Sequence, residues 1–287
     1  MNLVYGGGVE VYEESIKEAT ALKIRAFEKD IVFHAYWDGE LSDLHLISVK
    51  TCWYFNVQGY NNRKIIVWVK KKIETDALKE ISKYAEVKCF DFELESVATP
   101  FYDREFFVNY RPSYYSDLVR YTLLSKYGGL WFDLDIFFLR SMDPVLTKFG
   151  DDVFLYRWGE QNFPNGAIYY SPEPNYGNMD SAIDEFIRNN KGFGFNETKI
   201  GFDSELNMNV LPCSWFDGAW VKGNPYLDSF DKFFYKNRKK FTLETFFPGA
   251  FCFHWHNRWN FPINQGSIIS DLYAEVNALI DDLNTQD

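Results

Sequence analysis

The chain has 287 residues, 46% of them hydrophobic and 20% aromatic, so it can bury a sizeable core as one large domain or two small ones. A formal net charge of −11 argues against non-specific binding of nucleic acid or an anionic membrane, while leaving room for a local basic pocket. No apolar run is long enough to span a bilayer, and the N-terminus has no basic segment followed by an apolar one. The expectation is a soluble, cytoplasmic protein. Its scattered cysteines, Cys52, Cys89, Cys213 and Cys252, read as buried free thiols of a reducing compartment.

In chain order, Gly6-Gly7-Gly8 is no P-loop, because no Gly-Lys-Ser/Thr follows. Val11 to Lys29 reads as an amphipathic helix and Ile31 to Trp37 as a strand, followed by a helix to about Phe55. Lys64 to Val69 is a strand, Thr75 to Tyr84 a helix and Val87 to Phe92 a short strand. This alternation implies a parallel sheet covered by helices, an α/β fold. Glu93 to Pro112 is a polar, aromatic loop placed to act as a lid. A helix capped by Ser116 or Asp117 follows, with Leu118, Tyr121 and Leu124 at helical spacing and Gly128-Gly129 as its left-handed exit.

From Leu130 the period becomes two, which puts Trp131, Asp133 and Asp135 on one face of a strand. Beyond it, Asp143-Pro144 marks a turn. Val153 to Tyr156 and Ala167 to Tyr170 are strands about a Pro164-Asn165-Gly166 turn. Asp180 to Asn190 is a helix, Val210 to Cys213 and Ala250 to His254 are strands, and Ile269 to Leu283 is a terminal helix. Asn196-Glu197-Thr198 is read as a chance sequon. With neither repeat nor linker, one domain is expected, residues 31–287, after an N-terminal helical segment, residues 1–30.

Two carboxylates in an apolar strand are costly unless a cation or hydrogen-bond donors meet them. The oxygen ligands of Asp133 and Asp135 suit Mg²⁺ or Mn²⁺ bridging to a diphosphate, and Trp131 beside them offers a ring on which a base or sugar can stack. Removing either carboxylate is expected to abolish function and leave the fold intact, by relieving their repulsion. Asp117 and Arg120, three apart, share a helix face, either as a surface ion pair or as ligand contacts. His254 and His256, two apart on a strand, can face one site. By periodicity alone Trp37 reads as a core residue, and His34, on the opposite side of its strand, as a structural hydrogen-bonding one.

Asp117, Arg120, Gly128, Gly129, Asp133 and Asp135 together resemble the S-D-x-x-R…GG-x-x-x-D-x-D block of the "DXD sugar-binding" glycosyltransferases. That group includes the Och1-like mannosyltransferases, the α-1,4-galactosyltransferases and the catalytic domain of the clostridial glucosylating toxins. Phe33 to Gly39 is similar to the family's I-H-x-x-W-x-G strand, and Asn165-Gly166-Ala167 to its N-A segment. Gly201-Phe202 with Leu206 resembles T-G-P-x-x-L, with Phe for Pro. Phe253-His254-Trp255-His256-Asn257 resembles H-x-W-N, with His256 in place of the Trp. The resemblance runs from about Ile31 to Trp259.

It implies a single-domain GT-A type fold, a Rossmann-like and mostly parallel sheet flanked by helices. It also implies sugar transfer from a UDP- or GDP-sugar to a hydroxyl, on a glycan by family precedent, with retention of configuration. Asp133 and Asp135 would hold Mn²⁺ or Mg²⁺, with His254 the better third ligand by motif register and His256 its substitute. Trp37 would stack on the base, Asp117 receive sugar hydroxyls, Arg120 contact the sugar or its phosphate, and Trp259 pack under the diphosphate or in the core. An inverting enzyme would need a carboxylate base, for which Asp203 and Asp217 are candidates. The alternatives are a non-catalytic carbohydrate-binding or interaction protein on this fold and a haloacid-dehalogenase-type phosphohydrolase. The latter needs Thr or Val where Phe137 stands.

Overall fold

The computed structural model describes residues 10–104, 107–108, 110–157, 164–190, 192–193 and 208–285. Gly6-Gly7-Gly8, the sequon at 196–198, Gly201-Phe202, Asp203 and Leu206 lie outside them. The elements in order are α1 (Tyr12–Ala21), β1 (Ile31–Trp37), α2 (Asp43–Asn56), β2 (Arg63–Val69), α3 (Asp76–Ile81), β3 (Glu86–Cys89), α4 (Phe92–Glu95), β4 (Phe107–Val108) and α5 (Pro112–Tyr127). There follow β5 (Gly129–Phe132), β6 (Ile136–Phe138), α6 (Asp143–Phe149), β7 (Val153–Arg157), β8 (Pro164–Ser171), α7 (Gly177–Asn190), β9 (Gly192–Phe193), β10 (Met208–Leu211), β11 (Cys252–His254) and α8 (Ile268–Asn284).

Seven strands form the central sheet in the order β10-β7-β8-β5-β1-β2-β3. The β5-β1, β1-β2, β2-β3 and β10-β7 pairs are parallel, while β8 runs antiparallel to both neighbours. This is the mostly parallel, helix-flanked sheet of a GT-A type fold. Strand alternation sends Phe33, Ala35, Leu130 and Phe132 into the core on one face, and Trp68, Trp131 and Tyr169, with Leu118 and Tyr121 of α5, into the core on the other. His34 belongs to the second layer: its Nδ1 accepts from Trp68 Nε1–H at 3.1 Å, the structural role expected of it. Burial pushes its pKa down to about 3, so it stays neutral.

Several boundaries differ from expectation. Helix α1 stops at Ala21, and the stretch just after it has no face to bury: Lys23 to Ala26 are exposed, Ile24 at 87%, before Phe27 returns to the core. It docks on residues 213–215, where Trp215 Nε1–H donates to the Ser15 carbonyl at 2.7 Å. Helix α5 begins at Pro112, not at Ser116 or Asp117, since proline suits the first helical position. Asp143-Pro144 likewise opens helix α6 and is not merely a turn. Pro164, Asn165 and Gly166 lie in β8, paired with β7, and do not form the expected turn.

The exit from α5 is as expected. Gly128 and Gly129 adopt φ of +63° and +89°, and a Cβ on Gly129 would lie 2.3 Å from the Val32 carbonyl oxygen. Only glycine lets β5 close against β1 there. Among the described residues, no helix is long and apolar enough to cross a membrane. The four cysteines are free, three of them buried; Cys89 is exposed, contrary to expectation, because it ends the edge strand β3.

Candidate active site

The strand expected to continue through Asp133 and Asp135 breaks there. Strand β5 ends at Phe132, a turn spans Asp133 to Asp135, and β6 leaves to pair antiparallel with β11. The break lies at the C-terminal end of a central strand, where open α/β sheets bind ligands. It also meets the needs of the two carboxylates, which find donors and solvent at the sheet edge and none inside it. The register His254↔Ile136 then sets His254 beside Asp135.

Each carboxylate has its own partners. Asp133, 30% exposed at its side chain, receives Arg120 Nη2–H at 3.0 Å and Trp131 Nε1–H at 2.7 Å on Oδ1. Arg120 also holds Asp117, Nη1 to Oδ1 at 2.7 Å. Gly166 makes room for this fork: a Cβ there would lie 2.3 Å from Arg120 Nη1. Asp135 is buried; its Oδ2 accepts the Asn257 N–H at 2.7 Å, and its Oδ1 lies 3.1 Å from His254 Nε2. His256 and Asn257 hold φ of +53° and +58°, a backbone bend that aims this N–H at the carboxylate.

The electrostatics follow from these contacts. Burial disfavours charge on His254, but Asp135 and then Asp217 outweigh it and hold the imidazole protonated well above its ordinary range. Burial would raise the Asp135 carboxyl too, yet His254 and the Asn257 N–H hold it low. His256 is pushed down by burial and then by the charge on His254, whose ring stacks on it at 3.7 Å. Burial lifts Asp117 to about 6 against the pull of Arg120.

The expectation that removing Asp133 or Asp135 relieves repulsion and spares the fold is therefore corrected. Both are paired to buried cations that their loss would strand.

A cavity of about 550 Å³ gathers most of the expected residues: Trp37, Asp117, Arg120, Asp133, Asp135, His254, His256 and Trp259 all line it. Trp37 and Trp259 meet at 4.6 Å, with His45 stacked on Trp259 at 4.5 Å, so they form one aromatic wall. Trp131 does not join them. It is fully buried, bonds Asp133 and lies beneath the Arg120 guanidinium, so it offers no ring to the cavity for stacking. Asp217, a candidate acceptor-side base, is fully buried behind the histidines and does not line the cavity. Residues that sequence reasoning missed are His45, Tyr156, whose hydroxyl lies 2.9 Å from His254 Nδ1, and Asn257, which acts through its backbone. No local signal marks His45 or Tyr156, which arrive by long-range packing; Asn257 closes the H-x-W-N-like element, but that resemblance does not say that its backbone does the work.

The donor set fits a hard divalent cation. Asp133, Asp135 and His254 offer ligand atoms within 4.8 Å of one another, as do Asp217, His254 and His256. Four carboxylates, Asp117, Asp133, Asp135 and Asp217, face two cations, Arg120 and protonated His254, a surplus of two negative charges (4 − 2) that a dication would offset.

Comparison with known proteins bears on one region of the chain and on its fold. Residues 48–150 match the glycosyltransferase sugar-binding region containing the DXD motif. The glycosyltransferase GlyE of Streptococcus pneumoniae TIGR4 shares the fold, with a TM-score of 0.51 and 11% identity over 90% of this chain and 64% of GlyE. The galactosyltransferase LgtC, solved with donor and acceptor sugar analogs, aligns with a TM-score of 0.49 and 8% identity over 85% of this chain and 96% of its own. Mouse xyloside xylosyltransferase 1 aligns with a TM-score of 0.44 and 12% identity over 82% of this chain and 100% of its own. No curated protein matches the chain.

Proposed function

Starting from a chain that carries the DXD sugar-binding region on a GT-A type fold, we propose that it transfers a sugar from a UDP- or GDP-sugar to a hydroxyl of a glycan acceptor. The observation that carries this reading is the meeting, in one cavity, of the Asp133–Asp135–His254 donor set, the Asp117–Arg120 pair and the Trp37–Trp259 wall.

Asp133, Asp135 and His254 would hold Mn²⁺ or Mg²⁺. When bound, the ion offsets the charge that develops on the departing diphosphate. Asn257 N–H fixes the Asp135 carboxylate, and Trp131 and Arg120 fix that of Asp133. Arg120, rigid between two carboxylates, presents a guanidinium edge to sugar or phosphate oxygens, and Asp117 receives sugar hydroxyls. Trp37 takes the base, and Trp259 packs beneath the diphosphate. Retention of configuration is carried over from the family. Residues 31–287 form the glycosyltransferase domain, with residues 1–30 as a helical lead-in. The free thiols support a cytoplasmic location.

The test is calorimetric titration of UDP and GDP with and without Mn²⁺, followed by turnover with the matching nucleotide sugars. Mn²⁺-dependent binding of at least one nucleotide, and its release from the cognate sugar, are expected. Failure of both nucleotides to bind in the presence of Mn²⁺ would sink the reading.

A further inference from the structure

Asp217 sits between two short 3₁₀ turns, Cys213–Trp215 and Gly218–Trp220. Its side chain is 0% exposed, and no Lys or Arg pairs with it among the described residues. A buried carboxylate without a strong cation is expensive. Its contacts are instead two imidazoles. Oδ2 lies 2.6 Å from His256 Nε2 and 3.6 Å from His254 Nδ1, and Oδ1 has no hydrogen-bond partner. The loop that carries it is tied down from afar. The two Glu10 carboxylate oxygens accept the Cys213 and Ser214 N–H groups, each at 2.8 Å, and Ser15 bonds Ser214 through their hydroxyls at 2.7 Å.

Asp217, His254 and His256 could also group around an ion. In this structure Oδ2 and His256 Nε2 are instead bonded to each other at 2.6 Å. Trp220 Nε1–H also points at that nitrogen, at 2.6 Å. The two neighbours make opposite demands, a lone pair for Trp220 and a proton for Asp217; the carboxylate prevails and accepts from Nε2–H, because a charge-assisted bond is about twice as strong as a neutral one.

On His254, 3.6 Å is too long for a hydrogen bond, so Tyr156 makes the direct contact and Asp217 acts by its charge. Both lie on the Nδ1 side, while Nε2 faces Asp135.

We propose that Asp217 is a positioning residue for the metal site. With the ion bound, it would hold His254 as the Nδ1–H tautomer, with the Nε2 lone pair on the side of Asp133 and Asp135; it clamps the stacked His256 behind it, and adds a negative charge that favours a divalent cation. This rests on the metal reading proposed above.

The test titrates the full chain with Mn²⁺ alone, following free Mn²⁺ by electron paramagnetic resonance, for wild type and Asp217→Asn. Asp217→Asn should bind Mn²⁺ about 10–100-fold more weakly, the range for losing a carboxylate that orients a ligating histidine. Its circular dichroism should be unchanged, which a general loss of structure would not allow. Nitrogen-15 spectra of Mg²⁺-loaded wild type give a readout that needs no variant: His254 should carry its proton on Nδ1. An Nε2–H tautomer, or Asp217→Asn binding Mn²⁺ within threefold of wild type, overturns the proposal while leaving the metal reading intact. A wild-type chain that binds no Mn²⁺ would bring down the metal reading and this proposal with it.

Discussion

The two halves of the site are built in different ways. The half from α5 through β6 is one continuous stretch in which Asp117, Arg120, Asp133 and Asp135 reach the cavity through local geometry: a helix face, a two-glycine exit and a short strand. The half that holds Asp217, His254, His256 and Trp259 is assembled from distant turns, tied to the first by the antiparallel β6–β11 pair and to the N-terminus by Glu10. A local half is specified by periodicity and turn chemistry. A dispersed half depends on the whole fold being in place before any of its contacts exists.

The largest expected effect lies where the halves meet. Asp135→Asn should cut transfer roughly 10²–10³-fold, the scale for removing one preorganised electrostatic group. Asp135→Ala should also destabilise the metal-free protein by about 3–5 kcal/mol, because it strands a buried, protonated His254. Denaturant titration and initial rates measure the two effects. Activity of Asp135→Asn that survives in chelator would break the division of roles drawn here.

Next comes the pair of histidines. His254→Ala should weaken Mn²⁺ binding and slow turnover more than His256→Ala does, since His254 Nε2 faces Asp135 whereas His256 Nε2 is taken by Asp217. Calorimetry on both variants reads this directly, and the reverse order would move the ligand to His256.

Trp37→Ala tests the aromatic wall. Loss of a stacking platform should weaken binding of the nucleoside diphosphate by roughly 1–3 kcal/mol, the range for base–aromatic stacking. An unchanged affinity would return Trp37 to the core and leave Trp259 alone at the wall.

The last test is the pH dependence of the metal-free fold. His254 has its pKa raised on folding to about 10 from 6.5, so its stabilisation is fully present below pH 6.5 and is lost as pH rises towards 10. Asp135, held low, has the opposite sign: its contribution is present above 3.8 and is lost as pH falls through its lowered value. Both report one ion pair, so the two are not added. Thermal melts in chelator should decline from pH 6.5 upward, and a decline missing from wild type but present in His254→Ala would contradict the pairing.

Much of this was legible in the residues. The order of strands and helices through β3 follows from periodicity, and the glycine exit from α5 follows from the left-handed backbone that only glycine adopts cheaply. Helix starts were less legible at Pro112 and Pro144, because proline reads as a breaker unless it occupies the first turn. Trp131 was misassigned for a physical reason: alternation set it on the Asp133 side correctly, but α5 packs over that face of the sheet and buries the ring.

By itself, then, the sequence determined the α/β order, the D-x-D block and the aromatic and acidic residue types that a metal-assisted sugar transfer would use, because these are written in spacings of a few residues. Only the tertiary structure decided that Asp133 is held by Arg120 while Asp135 is held by His254 and the Asn257 backbone. It also turned Asp217 from a candidate base into a buried partner of two imidazoles. The reason is that hydrogen bonds and ion pairs act over a few ångströms in space, and 37 residues of chain separate Asp217 from His254 (254 − 217). No local pattern encodes which of the many carboxylates will arrive there.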